Sequence, residues 1–298
     1  MSGETAGSRK RTNGSYRQVE ITAAGCVRTF HDTHYPNEEL FMHETEITRA
    51  IVEAYTEKFL DRLESDVVIA GAGPAGLTAA CYLGRAGLKV TVFERKLSIG
   101  GGTWGGGAGC NVVVLDDNEI AEELGVECTA RDDLYTANAV ELASALAYRA
   151  EKAGASIFNL IEVEDLVVKD DALKGVVING TPIVMAGLHV DPVCTGARIV
   201  VDATGHDAEL LNILRDKKKD FHPSEIGESF MDVDTAEQGV VENTGEVYPG
   251  LYVAGMSVCA AYGLPRMGPI FGGMLKSGRK VAKQIAAALS PQGASVEG

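Results

Sequence analysis

Long apolar runs are missing from this chain of 298 residues. No stretch reaches the roughly 18 apolar residues that a membrane-spanning helix requires, so we expect no membrane partner. The six cysteines are widely spaced and form no CxxC pair, and no signal peptide is recognisable. This pattern argues against a disulfide framework and predicts a reducing, cytoplasmic compartment.

Positive charge is also scarce, with 27 Lys and Arg against 42 Asp and Glu and a formal net charge of −15. Nucleic acid is excluded as a partner, because phosphate backbones are bound by clustered basic side chains. A nucleotide cofactor stays possible, since backbone N–H groups can hold its phosphates. The hydrophobic share of 45% is typical of a globular protein with an ample core.

The ends of the chain differ from its middle. The start, MSGETAGSRKRTNGSY, is polar and favours a disordered tail over residues 1–36. Apolar residues at helical spacing from Asn37 to Leu63 predict one or two helices that lead into the core. We expect a single domain over residues 37–290 and a flexible tail over residues 291–298.

The middle alternates between strand and helix patterns. SDVVIAGAGPAGLTAACYLGRAGLKVTVFERK predicts strand, glycine turn, helix and strand, and residues 116–126 and 137–153 have helical patterns. Residues 157–203 are β-rich, including PIVMAGLHV; GLYVAGM predicts a further strand, and residues 272–289 a final helix. A βαβ unit, a β-rich insertion and a return strand together indicate an α/β fold.

The glycine turn has the spacing of a dinucleotide site. Gly71 permits the tight turn, Gly73 lets backbone approach a pyrophosphate, and Gly76 allows helix and strand to pack closely. Glu94 ends the next strand, where an acid accepts hydrogen bonds from a ribose diol and disfavours a 2′-phosphate. The alternative is a βαβ turn that binds nothing.

A second glycine cluster, GGGTWGGG, surrounds the single tryptophan at residues 100–107. Ordering so many glycines carries a large entropic cost. Backbone that passes close over a flat or extended ligand would explain them, whereas the alternative is a flexible loop.

His189, Asp191 and His206 lie close together in AGLHVDPVCTGARIVVDATGHD, although the chain has only six histidines. Taken alone, these residues favour a structural interpretation, in which Asp191 caps a turn before Pro192 and His206 is a loop histidine. Imidazole and carboxylate groups are nevertheless also metal ligands.

The combined motifs resemble known proteins. VVDATG and YPGLYVAGM are similar to cofactor-contacting strands of glutathione-reductase-like flavoproteins, which leaves FAD and NAD equally open. Together with GLHVDP, DATGHDA, GGGTWGGG and RMGPIFGGMLKSG, they resemble the thiamine thiazole synthase family from about Glu44 to Leu289. The resemblance implies a Rossmann-like dinucleotide-binding fold of the glutathione-reductase type with a β-rich insertion. It also implies synthesis of an ADP-thiazole carboxylate, the precursor of the thiamine thiazole, with NAD and glycine as substrates.

One residue separates two types within that family. Members that sacrifice a cysteine as sulfur donor have it two residues before the aspartate of the DP pair, where this chain has His189. The chain therefore resembles the sulfide-using members, which bind Fe(II) and turn over repeatedly. The resemblance implies that Asp191 and His206, from adjacent protomers of a homo-octamer, are the iron ligands. Cys194 could be a displaced donor, but a strand cysteine more often has a structural role.

The resemblance also assigns the substrate contacts. Arg266 would hold the glycine carboxylate, because its planar fork matches a carboxylate in bidentate fashion; the alternative is a surface arginine. Ala75 offers only backbone. The residues implied at the NAD-derived ligand are Gly71, Gly73, Ala75, Gly76, Glu94, Arg95, Gly102, Val163, His189, Val190, Asp191 and Met256.

Three other functions remain open from the sequence. An FAD-dependent oxidoreductase would share the fold and the acid at Glu94. A sugar-phosphate isomerase would need basic phosphate ligands, and the only dense basic cluster, RDKKKD at residues 215–220, favours a solvated face. A non-catalytic nucleotide-binding stress protein would bind the nucleotide without releasing nicotinamide.

Overall fold

The computed structural model describes residues 43–221 and 226–290. The predicted tails, residues 1–36 and 291–298, lie outside the described residues, as does the start of the helix predicted from Asn37. The described residues divide into two compact units, with the boundary between Thr56 and Glu57.

The helices are bounded as follows: α1 Glu44–Asp61, α2 Pro74–Arg85, α3 Glu119–Glu123, α4 Ala139–Lys152, α5 Thr181–Met185, α6 Glu209–Lys217, α7 Val233–Asn243, α8 Met256–Tyr262 and α9 Gly272–Leu289, with a short 3-10 helix at Gly101–Gly105. The strands are β1 Glu64–Ala70, β2 Val90–Glu94, β3 Val112–Leu115, β4 Cys128–Arg131, β5 Leu134–Asn138, β6 Ser156–Asn159, β7 Ile161–Lys169, β8 Ala172–Gly180, β9 Val193–Asp202, β10 Ser229–Met231, β11 Gly245–Tyr248, β12 Leu251–Val253 and β13 Pro265–Arg266.

An eight-stranded sheet forms the centre of the second unit, in the order β11-β12-β9-β1-β2-β6, and the β7-β8 hairpin joins it beside β9. The pairs among β12, β9, β1, β2 and β6 are parallel, whereas β7, β8 and β9 pair antiparallel. This is the predicted α/β fold of the Rossmann type with a β-rich insertion.

Both faces of the sheet are covered by helices. Val67 and Ile69 of β1 belong to a core cluster with α2, α4 and α9, whereas Val68 and Ala70 belong to the cluster with α6, α7 and α8. Alternate strand residues point to opposite faces, so a strand that is apolar throughout has to be covered on both sides.

The structure corrects two local predictions. The helix predicted over 116–126 is limited to Glu119–Glu123. PIVMAGLHV is not a strand: α5 begins with Pro182 in its first turn, a position that suits proline because its fixed φ is helical and no N–H is needed. The helix predicted before the first strand is confirmed over the described residues as α1, although none of its residues is fully buried.

Asp202 fixes the chain where β9 ends. Its side chain is fully buried; Oδ1 accepts hydrogen bonds from the backbone N–H and hydroxyl of Thr204 and from the Ser257 hydroxyl. Oδ2 accepts from the backbone N–H groups of Leu210 and Leu211, at 3.0 and 3.1 Å, in the first turn of α6. One carboxylate thus joins β9, the following loop, α6 and α8.

Glu237 of α7 is a buried acid of a different kind. Both carboxylate oxygens are shielded from solvent and have no hydrogen-bond partner within the described residues, and Oε2 lies against the backbone of Gly273, where a Cβ atom would approach it to 2.1 Å. Burial, followed by the charge of the nearby Asp116 carboxylate, raises the pKa of Glu237 to about 7.

We expect Asp202→Asn to lower the free energy of unfolding by about 3 kcal/mol. The NH2 group of the asparagine would face N–H and O–H donors whose hydrogen bonds the Asp202 carboxylate now accepts, and these donors would lose their acceptor. Thermal unfolding measures the change. Asp216→Asn, which alters only an exposed pair with Arg215, is the matched control and should leave Tm unchanged. Equal Tm values for the two variants would contradict the role given to Asp202.

Glu237→Gln should change the pH dependence of stability. The native state keeps a proton on Glu237 up to pH about 7, whereas the unfolded chain releases it near its ordinary pKa of 4.5. Wild-type stability therefore falls as pH rises through this window. The glutamine variant lacks this loss, and its stability between pH 5 and 8 should fall by about 2 kcal/mol less than that of the wild type. Denaturant unfolding at the two pH values tests this, with the exposed Glu242→Gln of the same helix as control.

Candidate functional site

A cleft of about 620 Å³ opens at the carboxyl ends of the parallel strands. Its walls include Ala70 at the end of β1, Glu94 at the end of β2, and Ala203 and Ala254, which follow β9 and β12. Parallel α/β sheets bind ligands at this edge, because the loops after the strands diverge there and leave a crevice.

The glycine turn lies at one wall of the cleft. Gly71 has φ of +99°, and a Cβ atom at Gly76 would lie 2.1 Å from the Gly71 carbonyl oxygen, so neither position tolerates a larger residue. Gly73 and Ala75 line the cleft, whereas Gly76 supports the packing behind it. Among the described residues no side chain caps α2, and the first N–H groups of this helix are available to an anion.

Glu94 holds the turn in shape as well as lining the cleft. Its Oε2 atom accepts a hydrogen bond of 2.9 Å from the Ala72 N–H, and Oε1 accepts one of 2.8 Å from the Lys96 N–H. Each carboxylate oxygen has a second lone pair, so hydroxyl groups of a ligand can still donate to Glu94.

The second glycine cluster is ordered and follows the cleft. Gly100 has φ of +105°, and a Cβ atom there would lie 2.6 Å from Trp104 Nε1. The Gly100 N–H donates to the Ala72 carbonyl oxygen at 2.7 Å, which ties this segment to the glycine turn. Gly101, Gly102 and Gly106 line the cleft, so backbone passes along it without side chains in the way.

Two arginines of the cleft differ in their partners. Arg95 forms ion pairs with Asp207 and Glu209. Burial raises the pKa of Glu209, an effect that Arg95 opposes. Arg266 is exposed and lines the cleft, and within the described chain its guanidinium has no hydrogen bond or ion pair. Its fork is open to a ligand carboxylate.

His206 reaches the cleft from the loop after β9. Its Nδ1 atom lies 2.8 Å from each carboxylate oxygen of Glu228. Nε2 has no hydrogen-bond partner in residues 43–221 or 226–290. A neutral imidazole that donates from Nδ1 leaves the Nε2 lone pair available.

The other predicted ligands are separate from the cleft. His189, Val190 and Asp191 lie on the exposed segment between α5 and β9 and are outside the cleft lining. Asp191 has no hydrogen bond or ion pair with any described residue. No group of three or more His, Cys, Asp or Glu side chains in the described ranges could hold a metal.

Of the remaining predicted residues, Val163 and Met256 line the cleft. Sequence reasoning missed Glu162, Glu209, Glu228 and Met231. Glu209 directly follows DATGHDA, whereas the other three lie outside the recognised motifs, and a motif does not reveal what a later loop brings near it.

The basic cluster at residues 215–220 is a solvated face, as predicted. Lys217 pairs with Asp165, and Lys218 pairs with Asp171 and Asp220. These residues do not line the cleft. No helix in the described part of the chain has the length and apolar character needed to cross a membrane.

Comparison with known proteins identifies the family. The model of the Thi4 family matches residues 48–271. Thiamine thiazole synthases of Methanothermobacter thermautotrophicus and Thermococcus kodakarensis are 51% and 52% identical to this chain, over 82% of its length and 97% and 98% of theirs. The crystal structure of Thermovibrio ammonificans THI4 superposes with a TM-score of 0.82 at 43% identity, covering 84% of this chain and 99% of that one. The chain therefore belongs to the Thi4 family, a family of enzymes whose curated relatives are thiamine thiazole synthases.

Proposed function

We propose that this enzyme makes the ADP-thiazole carboxylate precursor of thiamine from NAD, glycine and sulfide, with Fe(II), over multiple turnovers. The observation that carries the proposal is the content of one cleft: an unpartnered Arg266, an acid at Glu94 and an imidazole at His206, beside a glycine turn that suits a pyrophosphate. NAD would lose nicotinamide and its ribose would condense with glycine. Isomerisation, sulfur addition, cyclisation and dehydration would follow.

NAD binding would use backbone more than side chains. The pyrophosphate would sit at the N-terminus of α2 near Gly73, where free N–H groups and the helix dipole favour an anion. The adenosine ribose would donate its hydroxyls to Glu94. Because Glu94 is negatively charged and Arg95 is already paired with Glu209, a 2′-phosphate would be disfavoured. NAD rather than NADP is therefore the expected substrate.

Arg266 would orient glycine. Its two parallel N–H groups suit the glycine carboxylate, and this leaves the amino group to attack the ribose-derived carbonyl. β13, which carries Arg266, pairs with β10, which carries Met231. The backbone of Arg266 is thus held by strand pairing, whereas its guanidinium has no partner among the described residues.

The donor set fits Fe(II). His206 has an unpartnered Nε2 atom and Asp191 an exposed carboxylate without a partner in the described ranges, and imidazole with carboxylate suits this ion. When bound, Fe(II) would supply a Lewis acid with open positions for sulfide. Because no described cluster of this chain completes a metal site, we propose that Asp191 comes from an adjacent protomer.

The surroundings of Asp191 support such sharing. Exposed apolar side chains surround it on the α5–β9 segment: Met185, Leu188, Val190 and Val193 are exposed by 82%, 60%, 46% and 55%. Exposed apolar groups grouped in this way mark protein interfaces. The homo-octamer implied by the family resemblance would cover them and bring His189 and Asp191 to a neighbouring cleft.

The sulfur source follows from the residue at position 189. Imidazole has no sulfur to give, and the exposed Cys194, the alternative donor, is a strand cysteine of the kind that more often has a structural role. External sulfide is therefore the proposed donor. The cytoplasmic location inferred from cysteine spacing stays a prediction.

Arg266→Lys should raise the KM for glycine by about tenfold or more, since lysine keeps the charge but loses one of two parallel hydrogen bonds. The KM for NAD should change by less than about twofold. Arg198→Lys, at an exposed arginine that pairs with Asp66 away from the cleft lining, is the control. Steady-state kinetics with each substrate varied separately test this, and equal rises in both KM values would show that Arg266 does not contact glycine.

With external sulfide, product should exceed enzyme in molar amount after anaerobic incubation with NAD, glycine, sulfide and Fe(II), and the mass of the protein should stay unchanged. A sacrificial mechanism would stop after one cycle and leave the protein about 34 Da lighter, through loss of H2S from a cysteine. Mass spectrometry of protein and adenylated products distinguishes the two. NAD binding without nicotinamide release would instead indicate a non-catalytic nucleotide-binding protein, and a bound flavin spectrum an FAD enzyme.

His189→Cys extends this test. A sulfide-independent, single-turnover product from the variant, with the same mass loss, would place residue 189 at the point of sulfur delivery. His189→Ser is the matched control, because it has a similar volume to cysteine and no sulfur.

A further inference from the structure

The Glu228 carboxylate is built into the protein rather than lying loosely at its surface. Its side chain is only 12% exposed, whereas that of His206 is 50% exposed. Its neighbours in the chain are fixed: the Gly227 N–H donates to the Ala260 carbonyl oxygen at 2.9 Å, and the Ser229 N–H to that of Leu264 at 3.0 Å. The carboxylate is therefore held in place before any ligand arrives.

Both oxygens of Glu228 approach the same ring atom, Nδ1 of His206, at 2.8 Å. An ionised carboxylate only accepts hydrogen bonds, so the proton between them belongs to Nδ1. In the neutral ring, the lone pair then lies on Nε2. The contact selects the tautomer that a metal needs.

The loop that carries His206 is fixed from the other side. The Gly205 N–H donates to the Ser257 hydroxyl at 3.1 Å, and the same hydroxyl donates to buried Asp202. The ring is thus set by its backbone on one side and by Glu228 on the other. A single hydrogen bond contributes only modestly to stability, so folding alone does not account for a nearly buried acid aimed at a half-exposed imidazole.

Cys259 is another side chain near Glu228 that could in principle bind a metal, but its position does not allow this. Cys259 is fully buried, and burial, together with the charge of Glu228, raises the pKa of its thiol to about 12. It is absent from the cleft lining, so it does not reach a metal held there.

We propose that Glu228 is a positioning residue, whose carboxylate holds Nδ1 of His206 and so presents Nε2 to Fe(II). This rests on the proposed function, in which His206 is an iron ligand. Carboxylates that receive the second N–H of a ligating histidine orient its ring and raise its basicity, and their loss weakens metal binding about 10–100-fold.

The test titrates Co(II), as a spectroscopic stand-in for Fe(II), into the full-length protein under anaerobic conditions. The wild type should bind Co(II) with a visible ligand-field band, and His206→Ala should lose it. Glu228→Gln should bind about 10–100-fold more weakly, with a shifted band, because a glutamine oxygen is a weaker acceptor than a carboxylate. Its Tm and NAD affinity should match those of Glu127→Gln, an exposed control outside the cleft lining.

The Co(II) titrations distinguish failure of the positioning role of Glu228 from failure of the iron assignment. An affinity and band of Glu228→Gln equal to the wild type, with His206→Ala unable to bind, would overturn the positioning role. Complete loss of Co(II) in Glu228→Gln with Tm unchanged would overturn it too, because Glu228 would then be a ligand. If the wild type itself binds no Co(II) or Fe(II), the iron assignment under the proposed function fails instead.

Discussion

The hydrogen bonds of Asp202 are the constraint on which the site depends. A buried carboxylate is costly unless donors surround it, and here Thr204, Ser257, Leu210 and Leu211 supply them. Those donors come from the loop after β9, from α6 and from α8. The single acid at the strand end thereby fixes the loop with His206, the start of the helix with Glu209, and the helix that follows Gly255. If that geometry changed, several walls of the cleft would move together.

Within the cleft, the charged groups divide by whether the protein already satisfies them. Arg95 is paired with Asp207 and Glu209, and both oxygens of Glu94 accept backbone N–H groups. These residues shape the cleft. Arg266 and Nε2 of His206 lack partners in the described chain, and unpartnered polar groups lining a cleft are where a ligand gains most. That contrast supports glycine at Arg266 and a metal at His206.

Glu228 would support this arrangement indirectly, through its contact with His206. It comes from a segment without a recognisable motif, and β10, which begins after it, pairs with the β13 strand that carries Arg266. The proposed contacts to metal and to glycine would therefore share one short two-stranded support. The exposed segment with His189 and Asp191 would complete the site from a neighbouring chain, so assembly and catalysis would be linked.

The sequence alone determined the elements with strong local causes. Gly71 and Gly76 are required by backbone approaches that no Cβ atom permits. The βαβ pattern around Val68 predicted an α/β fold, and the family motifs marked Arg266 and His206. Tertiary structure decided the rest. Pro182 lies in the first turn of a helix, in a segment whose composition suggested a strand. The pairing of Glu228 with His206 joins residues 22 apart in sequence. Such contacts depend on where separate loops meet at the sheet edge, and no local periodicity or propensity encodes that meeting.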